Sequence, residues 1–197
     1  MLTYRGTNNG VTGKQDWKTN LMQGMGKETD QYNQAMELAE KTQRAVGDDF
    51  SIVGHSLGGG LASSGVAVTG QPGYTFNAAG LHPDTPARKG GLSLEETSKL
   101  IQTQSVKGEV LTLAQENANT AITGGLTALG NKLGGPVGAS IGLAIGSFLV
   151  PKVPEAVGSK RDLPGSGMNP VARHGMDQVI DGIESQKKED IKTLLSG

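Results

Sequence analysis

The stretch Phe50-Ser51-Ile52-Val53-Gly54-His55-Ser56-Leu57-Gly58-Gly59-Gly60 decides how this chain reads. A short apolar run suits a buried strand and stops at Gly54. Ser56 follows between two glycines, and from Leu57 to Thr69 the side chains are mostly Gly, Ala and Ser, as a helix lying close on a sheet requires. Gly-x-Ser-x-Gly between a strand and a helix is the nucleophile-elbow pattern. A serine at the apex of so sharp a turn needs neighbours with minimal side chains, and the helix behind it aims its N-terminus at a developing oxyanion. The competing reading is a Gly-rich turn that packs a helix on a sheet. It explains the glycines but not the serine at the apex.

Further alternation extends outward from this point. Leu2 to Arg5 suits a short strand ending at Gly6. Asn8 to Gln15 is polar and rich in turn residues. Thr29 suits the cap of a helix whose Tyr32, Ala35, Met36, Ala39 and Val46 share a face, with Gly47 as its stop. "YTFNAAG" (Tyr74 to Gly80) and "KLIQTQSV" (Lys99 to Val106) suit two more strands. The proline-bearing stretch Pro151 to Pro170 reads as a loop, and Gly175 to Ser185 as a last helix. Strands alternating with helices imply an α/β fold with a largely parallel central sheet. The expected organisation is a single domain over 1–197, interrupted by a helical insertion at about 118–150.

The chain has 197 residues, 18 Lys and Arg against 19 Asp and Glu, and a net charge of −1. Without a basic block, nothing points to nucleic acid. Without cysteine, disulfides and thiolate catalysis are excluded. Glycine, at 31 residues, is about twice its usual share. The opening "MLTYRGTNNG" lacks the basic and apolar regions of a signal peptide. It suggests a strand entered partway, hence a fold truncated at its N-terminus. The matching expectation for location is export without a cleavable leader, or the cytoplasm.

A nucleophilic Ser56 needs a base and a group that orients the base. Of the three histidines, His55 precedes the apex and is expected to support the turn from below. His82 lies one loop after the third strand. His174 comes last, where the chain order Ser, acid, His places a base. Glu109 follows the "KLIQTQSV" strand, with Gly108 suited to a tight turn. Asp84 is its main rival and Asp162 a weaker one. The N–H of Leu57 suits one oxyanion donor, and Thr7, after the Arg5-Gly6 turn, suits the other. The histidines show no metal-ligand spacing, so neither metal nor cofactor is expected.

"GHSLGGGLA" together with "YRGTNNG" and the Asp16-Trp17 pair resembles the class-three (fungal-type) lipases, and more closely the bacterial lipase-fold effectors delivered by secretion systems. "TFNAAGLHPDT", "VKGEVLT" and "RHGMDQVIDGIE" extend the resemblance over most of the chain. It implies an α/β-hydrolase fold and hydrolysis of lipid or phospholipid acyl esters through Ser56, His174 and Glu109. It also implies an oxyanion role for Thr7, the residue after Arg-Gly. The family usually has Asp where this chain has Glu109, which puts the loop geometry in question. Trp17 is expected to be structural. An immunity or chaperone protein is left open as a partner. Two other functions stay in view: a cytosolic esterase or thioesterase for small acyl substrates, and an inert hydrolase core with a membrane-inserting segment.

That last reading draws on Leu133 to Val150, which holds no charged residue. Gly130, Gly134, Gly138, Gly142 and Gly146 recur at every fourth position, a stripe suited to close helix contact. The stretch barely reaches the ~18 residues of a spanning helix. Three readings compete: a buried helical hairpin, a lid or lipid-docking element presenting Ile141, Leu143, Ile145, Phe148 and Leu149, and a membrane span.

Overall fold

The computed structural model describes residues 1–6, 29–109, 111–112, 131–132, 135–136, 154–167, 169–170 and 172–196. Two compact units divide the chain. One joins Met1–Leu111 with Ala156–Gly197, and the other is Thr112–Glu155. The Gly stripe, the apolar residues from Ile141 to Leu149, and Thr7, Asp16 and Trp17 lie outside the described residues.

The first unit is built on five strands: β1 (Leu2–Tyr4), β2 (Ile52–His55), β3 (Gly73–Phe76), β4 (Ile101–Val106) and β5 (Ser159–Leu163). They lie in chain order and every neighbouring pair is parallel. Among the described residues, the crossovers carry α1 (Thr29–Val46) before β2, α2 (Leu57–Thr69) before β3, and α3 (Asp84–Ala87) and α4 (Leu94–Leu100) before β4. After β5 come a 3-10 turn (Ala172–His174) and α5 (Met176–Ser196). This is the α/β architecture expected from the alternation, and it is α/β-hydrolase-like.

Successive side chains of a strand point to opposite faces, and the sheet uses both. Tyr4, Ile52 and Ile101 bury themselves on one face against Ala62 and Val66 of α2, with Tyr32, Ala35 and Ala39 of α1 behind. Val106 and Leu163, with Phe76 beside them, meet Val179 and Ile183 of α5 on the other. The second cluster sits at the C-terminal ends of its strands, since Phe76, Val106 and Leu163 are the last residues of β3, β4 and β5.

Several elements depart from the sequence reading. β5 lies inside the stretch read as a proline loop. Only its last residue, Leu163, is buried, so it lacks the apolar run that marks a central strand. Lys99 and Leu100 close α4 and do not open β4. Ser93 and Glu96 start that helix as a capping box, each satisfying the other's backbone N–H. α5 runs eleven residues past Ser185, to Ser196. On α1 the buried stripe stops at Ala39, and Val46 is exposed on the final turn.

Candidate active site

Ser56 stands between β2 and α2 with φ 59° and ψ −128°, a conformation an L-residue adopts only under strain. Its surroundings account for the flanking glycines. A Cβ on Gly54 would overlap the carbonyl of Gly58, and one on Gly58 would overlap the carbonyl of Tyr4. The turn is held by backbone bonds on both sides. Ser56 N–H donates to the Phe76 carbonyl at 3.0 Å, and the Ser56 carbonyl accepts from Gly59 and Ala79, each at 2.9 Å.

The base arrives from the other end of the chain. His174 closes the 3-10 turn ahead of α5, and its Nε2 lies 2.8 Å from Ser56 Oγ. Its Nδ1 lies 2.6 Å from Glu109 Oε2. Glu109 is fully buried. It follows β4 through a turn closed by Glu109 N–H on the Val106 carbonyl at 3.1 Å, with Gly108 left-handed at φ 71°. The same Oε2 accepts the N–H of Leu111 at 2.8 Å. The longer glutamate side chain is thus accommodated: the turn ends one residue past Gly108, and the carboxylate is tied down beside the imidazole.

A carboxylate on Nδ1 makes that nitrogen the donor and leaves Nε2 to accept from the serine hydroxyl. In this state the imidazole can take the hydroxyl proton, and the resulting imidazolium is stabilised by the buried carboxylate. Leu57 is the first residue of α2, so its N–H has no partner within the helix. Gly6 lies against the elbow: a Cβ there would be 3.4 Å from Ser56 Cβ and 3.6 Å from the Leu57 nitrogen. A cavity of about 440 Å³ adjoins this side of the elbow, lined by Gly6, Gln31, Gln34, Leu38, Leu57 and Leu61 among others.

The rival residues are elsewhere. Asp84 and His82 are both largely exposed and face each other at 3.6 Å. Asp162 lies in β5, an exposed strand residue. His55 makes a contact the sequence did not suggest: its Nε2 lies 2.8 Å from the backbone carbonyl of His174. Burial pushes the His55 imidazole below its usual range. Asn77, given no role on sequence grounds, is fully buried with φ 43° and touches the same carbonyl. Its signal was local: an asparagine at the end of a strand, able to take a left-handed conformation. Among the described residues no cluster of His, Cys, Asp and Glu could hold a metal ion, and no helix is long and apolar enough to cross a membrane.

A strained serine elbow on a parallel sheet, followed in order by an acid and a histidine, defines the α/β-hydrolase class. Within it, a family model for a Tle-like phospholipase domain matches residues 1–169, and the chain belongs to that family. It is also similar to an extracellular phospholipase A1 of Serratia liquefaciens, 43% identical over 90 residues. That match covers 46% of this chain and 27% of the relative, so the chain matches only about a quarter of the relative's length.

Proposed function

We propose that this domain hydrolyses acyl esters of phospholipids through a covalent acyl-enzyme. The observation that carries the reading is the continuous chain of hydrogen bonds from Ser56 through His174 to Glu109. Ser56 Oγ attacks the ester carbonyl while its proton passes to His174 Nε2. The same proton then goes to the departing alcohol oxygen, and water, activated by His174, releases the fatty acid. Glu109 holds the imidazolium, and the N–H groups of Leu57 and Thr7 receive the carbonyl oxygen. Family membership supports a phospholipid substrate, and the relative's name supports cleavage of the A1 type. Because that relative is named as extracellular, it also supports reading the chain as an exported lipase effector that works at a membrane surface.

The test is incubation with defined phospholipids, triglyceride and a short acyl ester, with products identified by mass spectrometry. Free fatty acid and lysophospholipid are expected from phospholipid. Ser56→Ala should fall below about a hundredth of the parent rate, since losing a triad nucleophile costs far more than that. A variant that keeps more activity overturns the assignment of Ser56. Turnover confined to the short ester overturns the phospholipid substrate.

A further inference from the structure

We infer that His55 and Asn77 are positioning residues that hold the catalytic base from behind, by gripping its backbone carbonyl. The inference rests on the triad reading above and adds two residues to it.

His174 is carried by a short turn outside the sheet, so no strand fixes its imidazole. What fixes it is visible at its carbonyl oxygen. His55 Nε2 lies 2.8 Å away and Asn77 Nδ2 3.1 Å away. Asn77 Nδ2 also reaches the Arg173 carbonyl at 3.3 Å. A carbonyl can only accept, so His55 must carry its proton on Nε2 when neutral. Burial favours the neutral ring, since it pushes the imidazole below its usual range. That neutrality suits its surroundings, because the two histidine rings are 5.1 Å apart and a charged His55 would oppose the imidazolium formed during catalysis.

The Asn77 amide cannot turn over, because its Oδ1 accepts the N–H of Val106 at 2.9 Å. Its own N–H donates to the Gln104 carbonyl at 2.9 Å. Asn77 therefore fastens the end of β3 to the end of β4, three residues before Glu109, and presents its remaining donors to the loop of the base. His55 stands one residue before Ser56. One gripping residue is thus tied to the nucleophile's strand and the other to the acid's. Together they set the distance from His174 to both partners.

Steady-state kinetics on a soluble ester tests this with His55→Phe, His55→Gln, Asn77→Asp and His174→Ala. Phenylalanine keeps the ring volume and removes the donor. Glutamine restores an N–H at similar reach. Aspartate keeps the Val106 contact and removes the donors. A displacement of about 1 Å is worth about 100-fold, so His55→Phe and Asn77→Asp should each lower kcat by roughly 10- to 100-fold with KM within about twofold. His55→Gln should return to within about threefold of the parent, as a reoriented donor allows. In a His174→Ala background, His55→Phe should have no further effect, because residues acting as a unit are not additive. A parent-like kcat in both His55→Phe and Asn77→Asp overturns the inference, as does an equal loss in His55→Phe and His55→Gln. In either case an inactive His174→Ala leaves the triad standing. An active His174→Ala overturns the triad itself.

Discussion

At the scale of single residues, two acids stand in contrasting environments. Glu109 is fully buried against His174, while Asp84 is an exposed residue beside an exposed histidine. Glu109→Gln keeps the shape but cannot stabilise an imidazolium, and it leaves the wrong tautomer free to form. Losses on the order of 10⁴ in kcat accompany such a change. Asp84→Asn should leave kcat at the parent level. Parallel assays of the two variants check this, and the reverse pattern would move the acid to Asp84. The three side chains that these hydrogen bonds join were legible as candidates, because a serine elbow, an acid and a histidine follow one another in the chain order this fold uses. The residues behind them were not. His55 was visible as the elbow's neighbour, but its contact with His174 spans 119 positions, and no local pattern encodes so distant a partner. Asn77 was equally hidden, since an asparagine ending a strand suits many turns.

At the scale of elements, β1 and α1 show how a polar contact can join two layers. The Tyr4 hydroxyl donates to the Ala35 carbonyl at 2.5 Å from within the core. Burial pushes the phenol far above its usual value of 10.0. The sign follows from which state loses its proton. Below pH 10 the phenol is neutral in both states and its contribution is constant. Above pH 10 the unfolded chain ionises while the native one does not, so stability falls as pH rises. Urea midpoints at pH 9 and pH 11 should therefore separate in the parent and lie closer together in Tyr4→Phe. Equal separation in both would remove Tyr4 from the alkaline response. Elements with a strong pattern were readable: α2 from its small residues, β2 from its apolar run, α1 from its buried stripe. β5 was not, because a mostly exposed strand carries no apolar signature, and α4 was not, because its seven residues hold only two apolar side chains, Leu94 and Leu100.

At the scale of the molecule, the site is assembled by the sheet. Parallel strands deliver their C-terminal ends to one edge, where the elbow follows β2, the Asn77 turn follows β3 and the acid turn follows β4. The base reaches that edge because Val179 and Ile183 seat α5 on Val106 and Leu163. A hydrophobic cluster on one face of the sheet thus helps place His174 at its rim. The fold class could be read from the alternation of elements, but the use of both faces could not, since it depends on which side chains of short strands meet α5. The central claim is that Ser56 forms the covalent intermediate with the help of His174. The most direct test is intact-mass spectrometry after exposure to a phosphonate ester, an acyl-transfer analogue that stays on the nucleophile. One adduct is expected, mapping to the peptide that contains Ser56, absent from Ser56→Ala and formed far more slowly in His174→Ala. An adduct on another residue, or ester hydrolysis abolished by the phosphonate while Ser56 remains unmodified, would contradict it.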